Sequence, residues 1–306
     1  MKLKGIISAA IAAFLLTGCS AKPEPEYVDP PFFCVENSET GGRVYMLGSM
    51  HAGKKGTVYP EEVLSAFEES DIIACEVDTV ALSKNKQLLT ECTAMLLCPE
   101  GTTAADYLGE SYEEIRSFLK SEKLYNAAYD RYLPVLWENL LSNNAAEKCG
   151  LDSEYGTETI FLNKAKSEGK TIVELESAKA QYELMAAEPI SLSRWSLENS
   201  VRDSDTLAAD MEELYGAWAA GDGEKLTALL TEEEPPEELS EEYADYYAAM
   251  YSDRQRLMAD SVISSLENGE QVFMFVGALH FFAEPDILDF LAEAGYEVTE
   301  GENVAA

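Results

Sequence analysis

Histidine is close to absent: among 306 residues only His51 and His280 carry an imidazole. Whatever metal ligation or near-neutral proton transfer this chain performs through histidine must therefore use those two positions. Basic residues are also scarce, with 22 lysines and arginines against 57 acids and a net charge of −35. No basic stripe is available to neutralise phosphates, which excludes a nucleic-acid partner. Adhesion of the domain surface to anionic lipid is excluded for the same reason. The charge suits a soluble domain, with some affinity for divalent cations, and the hydrophobic share of 46% rules out a disordered chain. Two further absences narrow the chemistry. No Gly-x-Ser-x-Gly elbow is present, and Ser49 shares a turn with His51 without another marked partner. No glycine loop of the phosphate-cradling kind occurs either.

No apolar run reaches the roughly 20 residues of a membrane span. The longest N-terminal stretch, Gly5 to Leu16, follows Met1-Lys2-Leu3-Lys4 and ends in Leu16-Thr17-Gly18-Cys19. A basic start, a short apolar run and small closing residues make an export signal over residues 1–18. Leu-x-Gly-Cys there resembles the bacterial lipobox. Cys19 would then be the lipidated mature N-terminus, anchoring the domain to the cell membrane on the outer side of the cytoplasm. Residues 19–31, rich in proline, read as an extended tether, and 32–306 as the folded domain.

Of six cysteines, five remain after Cys19. Cys34, Cys75, Cys92, Cys98 and Cys149 match no zinc-ribbon spacing, and an odd number leaves at least one unpaired. Cys92 and Cys98 are close enough to bridge in an oxidising compartment, whereas Cys75 reads as a small core residue within an apolar strand.

Two segments share a plan. Arg43 to Gly48 is an apolar strand, followed by Ser49-Met50-His51, a polar loop, Pro60, an amphipathic helix to Ser70, and the strand Ile72–Glu76. Gln271 to Gly277 is another, followed by Ala278-Leu279-His280, Pro285, a helix from Asp286 to Ala294, Gly295 and a strand from Tyr296 to Thr299. Proline suits a first helical turn and glycine the position after the last. Apolar strands alternating with helices predict an α/β fold around a largely parallel or mixed sheet, built from both ends of the chain. The region between, about 107–266, is a large helical insertion. Its helices are expected over Tyr112–Lys123, Tyr129–Asn144, Tyr155–Glu168, Ala178–Ala187, Asp205–Ala219 and Tyr243–Leu266. Lys170–Glu176 is a short strand within it, and the acidic run from Glu232 to Glu242 a solvated loop.

Each histidine stands three residues after a glycine, Gly48 or Gly277, at the C-terminal end of an apolar strand. Open α/β sheets gather their ligands at that edge. Glu76 and Asp78 close the neighbouring strand, and an acid there serves as a metal ligand or as the base for a metal-activated water. Glu176, with Glu174 as its rival, ends the third strand in the same way. Arg254, or Arg256, leads into the second histidine strand and binds a substrate carboxylate or steadies the acids. Asp152 is a helix cap or a member of the site. His51, His280 and a carboxylate suit Mn, Co or Zn with one position left open for water and substrate.

These residues carry a resemblance. Tyr45-Met-Leu-Gly48-Ser-Met-His51, Ser70 to Asp78, Gly150-Leu-Asp152, Val173-Glu-Leu-Glu176 with Gln181, Asp253-Arg254-Gln-Arg-Leu-Met-Ala and Val276-Gly277-Ala-Leu-His280 together resemble the TraB/GumN family, relatives of the Tiki metalloproteases. The resemblance implies a two-histidine, divalent-cation-dependent peptidase site at His51, Glu76 and His280. Its pheromone-shutdown members imply an alternative, a lipoprotein that sequesters a peptide without cleaving it; an ester substrate is a third reading. Two features depart from the family pattern: Arg254-Gln255 stands where Arg-Asn is common, and Phe281-Phe-Ala-Glu-Pro285 replaces a glycine-containing loop.

Overall fold

The structure is a computed structural model that describes residues 24–231 and 235–301. The expected export signal, Cys19, residues 232–234 of the acidic run and residues 302–306 lie outside these. The strands are β1 (Glu26–Tyr27), β2 (Phe32–Asn37), β3 (Gly42–Ser49), β4 (Thr57–Val58), β5 (Ile72–Cys75), β6 (Thr171–Glu174), β7 (Gln271–Gly277) and β8 (Val298–Glu300). The first seven helices are α1 (Glu61–Glu69), α2 (Thr79–Lys84), α3 (Lys86–Met95), α4 (Ala104–Leu108), α5 (Tyr112–Ser121), α6 (Pro134–Lys148) and α7 (Thr157–Glu168). The rest are α8 (Ala178–Ala186), α9 (Ile190–Arg202), α10 (Leu207–Ala219), α11 (Gly223–Thr231), α12 (Ser240–Met250), α13 (Ser252–Glu267) and α14 (Ile287–Glu293).

Six strands form one mixed sheet in the order β6-β5-β7-β3-β2-β8. β6, β5, β7 and β3 run parallel, while β2 lies antiparallel between β3 and β8. The strands from the two ends of the chain therefore interleave, as expected for the α/β fold. β3 and β7 are direct neighbours, with Gly48 opposite Val276 and Ser49 opposite Gly277, so the two Gly-x-x-His segments lie side by side one residue out of register.

Side chains alternate across this sheet, and both faces are covered, which is why its strands are continuously apolar. On one face Tyr45, Leu47, Ile73, Phe273 and Phe275 pack with Phe67 of α1, Phe161 of α7 and Trp218 of α10. On the other, Met46, Ala74, Met274 and Val276 pack with Met258 and Val262 of α13 and with Ile287 and Leu291 of α14. Residues 26–31, expected as the end of a tether, are held along the domain: Val28 N–H donates to Val58 O at 3.1 Å and Asp29 N–H to Ala219 O at 2.7 Å. Among the described residues no helix is long and apolar enough to cross a membrane.

Three expectations need correcting. The acidic run expected as a loop to Glu242 is helical at its end, with a turn at Glu237–Leu239 that leads into α12 at Ser240. Cys92 and Cys98 are both free. The inward face of α3 buries Cys92 beside Val77 and Leu96, whereas Cys98 lies past the helix end with its N–H bonded to Arg131 O at 2.8 Å. The single helix expected over Tyr243–Leu266 is two, because Tyr251 leaves the helical region at φ −123 and ψ −75. At that break the Tyr251 side chain lies buried in the interior.

The helical insertion buries one carboxyl pair without a basic partner. Glu138 of α6 and Glu188, after α8, accept from Ser196 Oγ at 2.6 Å and Ser193 Oγ at 2.7 Å. Burial drives both carboxyls up, Glu188 to about 7; the Glu188 charge pushes Glu138 up further, whereas hydrogen bonding to Glu138 and Ser193 partly offsets the rise at Glu188, and Tyr246 lies beside the pair. A folded-state value above the unfolded one gives stability that is complete below the unfolded pKa of about 4.5 and lost as pH rises through about 7. Glu188→Gln should therefore gain on the wild type between pH 5 and pH 8, by about 1–2 kcal/mol. Denaturation midpoints across that range measure it, and a constant difference would refute the account.

Candidate active site

The four parallel strands end on one edge, and the residues just past those ends build the site. Glu76 comes directly after β5. The ladder continues past β6, where Leu175 N–H donates to Cys75 O at 2.8 Å and Glu176 N–H to Glu76 O at 3.0 Å, so the two glutamates stand side by side. Two buried carboxylates at this spacing repel unless a cation is set between them. Arg254 of α13 supplies it. Its Nη2 donates to Glu76 Oε2 at 2.7 Å and Glu176 Oε2 at 2.8 Å, and its Nε to Glu176 Oε1 at 2.6 Å. Gln181 of α8 bridges the same two acids at 3.0 and 2.8 Å. Gly277 N–H closes the cage, donating to Glu76 Oε1 at 2.7 Å.

Burial alone would push Glu76 up. Arg254, His280, His51 and the Gly277 amide outweigh it and hold the carboxyl at about 2, so it is ionised throughout the physiological range. Arg254 is driven up in turn, since its two carboxylates outweigh the cost of burial. Its remaining Nη1 donates to Met250 O at 2.9 Å. With four of its five N–H donors engaged by this protein's own groups, Arg254 steadies the acids rather than meeting a substrate carboxylate.

His280 lies on the single turn Ala278–Phe281 after β7 and is buried against the Tyr251 ring, 5.8 Å between centroids. Its Nε2 faces Glu76 Oε1 at 3.8 Å, too far for a hydrogen bond, and its Nδ1 is buried without a partner. Burial lowers the imidazole to about 4, which makes it neutral. Gln255 fixes the backbone around it: fully buried, its Nε2 donates to the carbonyls of His280 at 3.3 Å and Ala283 at 3.0 Å.

His51, just beyond β3, is 44% exposed at its side chain and so is the imidazole that solvent reaches. Glu158 of α7 lies against it, Oε1 at 2.9 Å from Nδ1, and that same oxygen accepts from Ser49 Oγ at 2.5 Å. The Glu158 charge raises His51 to about 9. A close backbone approach permits the contact. A Cβ at Gly156 would sit 2.1 Å from His51 O, and one at Gly53 would sit 2.3 Å from Tyr155 O. Across this seam Thr157 N–H donates to Met50 O at 3.0 Å, and Met50 N–H to Thr157 Oγ1 at 3.1 Å.

The rival residues lie elsewhere. Asp78 caps α2, accepting from Ala81 N–H at 2.8 Å and pairing with Lys166, and its own N–H donates to Glu174 Oε1 at 2.8 Å. Asp152 caps the turn Ser153–Tyr155, and its backbone pairs with Gly53, so it fastens the loop after His51. Arg256 lies over the Phe290 ring at 4.1 Å, away from the acids. Gly48 is packed tightly, since a Cβ there would meet Ala278 at 3.1 Å, and its carbonyl accepts from Trp218 Nε1 at 2.8 Å. Sequence reasoning did not find Glu158 or the contact made by Gln255. A glycine before a helix start followed by an acid was the signal available for Glu158.

Among the described residues no three His, Cys, Asp or Glu side chains are grouped closely enough to hold a metal ion as they stand. The model of the TraB/PrgY/gumN family matches residues 32–300, from the first residue of β2 to the last of β8. The chain belongs to the TraB/PrgY/gumN family. The match takes in all six strands of the main sheet and the helices between them, hence every residue of the cage in this TraB/PrgY/gumN protein. Searches of curated proteins and of solved structures each gave no match.

Proposed function

We propose that this protein is a divalent-cation-dependent hydrolase acting on peptides, exported and anchored to the bacterial cell membrane through lipid on Cys19. The observation that carries the reading is His280. A buried, neutral imidazole with no hydrogen bond at either nitrogen, facing an ionised carboxylate at 3.8 Å, is an unsatisfied donor set. Two ligands of one ion, each about 2.0–2.2 Å from it, stand roughly 3–3.5 Å apart, a small side-chain adjustment from that spacing.

The remaining residues fit such an ion. With both imidazoles neutral, Glu76, Glu176 and Glu158 oppose Arg254 alone, a net charge of −2. The Glu158–His51 contact leaves Nε2 of His51 as its free lone pair, the arrangement usual for metal-ligating histidines. The negative field that favours a proton on His51 favours a cation equally. His51, His280 and Glu76 would hold the ion, which would supply Lewis-acid activation of water and of the scissile carbonyl. Glu76, kept ionised at about 2, is a ligand rather than a proton acceptor. Arg254 and Gln181 hold its Oε2 and turn Oε1 toward His280.

Metal analysis of the purified domain tests this. His51→Ala and His280→Ala should each lose the bound ion with circular dichroism unchanged. Metal stoichiometry retained in both variants would refute the proposal. A peptide-library digest with Mn²⁺, run beside an esterase screen, identifies the substrate class, and binding without product would favour sequestration. Anchoring has its own test: Cys19→Ala should abolish acyl labelling and release the protein from the membrane fraction. Equal labelling of the variant would show that Cys19 is not the lipidated residue.

A further inference from the structure

A cavity of about 50 Å³ is lined in part by Tyr251, whose ring also lies against His280. Helices α6, α8, α9 and α12 and Glu188 after α8 line it. Its walls include Trp195, Tyr243, Tyr246 and Tyr251, and at its polar end stand Glu138 and Glu188. Tyr243, Tyr247 and Tyr251 form a run of touching rings, centroids 5.9 and 4.8 Å apart, continued across the break between α12 and α13. No lysine, arginine or histidine lines the space.

Glu138 is 3% exposed; its Oε2 accepts from Ser196, while its Oε1 has no donor partner and the carboxyl of Glu188 is its close neighbour. Two buried carboxyls that line one cavity, with no basic residue beside them, call for a donor, and the electron-rich rings that share the lining favour a positive one. We propose that this cavity binds an alkylammonium group. Its two carboxyls accept the N–H donors, and the rings of Trp195 and the tyrosines surround the charge and its first methylenes. The space, several times the ~10–15 Å³ of a single water, admits an ammonium head with a short stem.

The cavity adjoins the candidate centre, since the Tyr251 ring lies tilted against His280 and the carbonyl of the preceding Met250 accepts from Arg254. On the reading of that centre as a peptidase, the ammonium belongs to a lysine side chain or a free amino terminus of the substrate. The binding assignment itself does not require catalysis.

Calorimetry with n-butylammonium chloride at pH 8, on the protein without added metal, tests it independently of hydrolysis. Wild type should bind n-butylammonium, and butan-1-ol, its neutral isostere, should not. Glu138→Gln and Glu188→Gln should each weaken binding at least tenfold with circular dichroism unchanged. Trp195→Leu, which keeps an apolar wall, should weaken it severalfold, so the idea stays testable if a glutamate variant misfolds. Equal binding of butan-1-ol, undiminished binding by both glutamine variants, or no binding by wild type would overturn the proposal. Nα-acetyl-lysine methylamide and leucine amide, each carrying one kind of ammonium, identify the source. Failure here leaves the metal measurements on His51 and His280 untouched.

Discussion

Arg254→Met should destabilise the fold by about 3–5 kcal/mol, because it leaves two buried carboxylates facing one another with no cation between them. Glu76, Glu176 and Arg254 have side chains only 14%, 11% and 14% exposed, so water cannot replace the guanidinium. Methionine keeps the aliphatic length of arginine, and packing losses stay small. The expected result is a urea midpoint shifted down with the slope unchanged. Adding Glu176→Gln to Arg254→Met should recover part of the loss, since one carboxylate alone still has Gln181 and Gly277 to donate to it. A loss below about 1 kcal/mol in Arg254→Met would mean that the cage is not electrostatically coupled.

That cage shows what a single sequence carries. Gly48, His51, Gly277 and His280 were legible because apolar strands and the residues that terminate them are local patterns, and parallel strands deliver their ends to one edge. Choosing Glu76 over Asp78, and Glu176 over Glu174, depends on where each side chain points after its strand ends. Asp78 and Glu174 are turned aside by a helix cap and by the Asp78 amide, contacts that span 96 residues in one case. Arg254 and Arg256 were indistinguishable by type. They project to different sides of α13, one toward the acids and the other over Phe290. Glu158 was out of reach altogether, since 109 residues separate it from Ser49 and only the docking of α7 joins them. The break at Tyr251 had no signal either. Tyr243 to Leu266 reads as one helix, with neither glycine nor proline to end it, and tertiary packing around His280 overrides that local preference.

Glu158→Ala should lower divalent-cation affinity by about 10–100-fold, the usual consequence of removing the partner that orients a metal-ligating histidine. Glu158 holds His51 through Nδ1 and also accepts from Ser49, so its loss frees a half-exposed ring to rotate and strands a buried hydroxyl. Gly156→Ala should weaken cation binding in the same direction without altering a single polar group. Its new Cβ would lie 2.1 Å from His51 O, a contact with backbone on both sides, so either α7 or the His51 loop must retreat and carry Glu158 out of reach. The two variants differ in stability. Gly156→Ala also breaks the paired bonds between Thr157 and Met50 and should cost about 1–3 kcal/mol by overpacking. Glu158→Gln separates charge from geometry: it keeps an acceptor for His51 and should fall between wild type and Glu158→Ala in affinity. Isothermal titration with Mn²⁺ reads all three. Wild-type affinity in both Glu158→Ala and Gly156→Ala would remove His51 from the cation site and leave its contact with Glu158 a purely structural one.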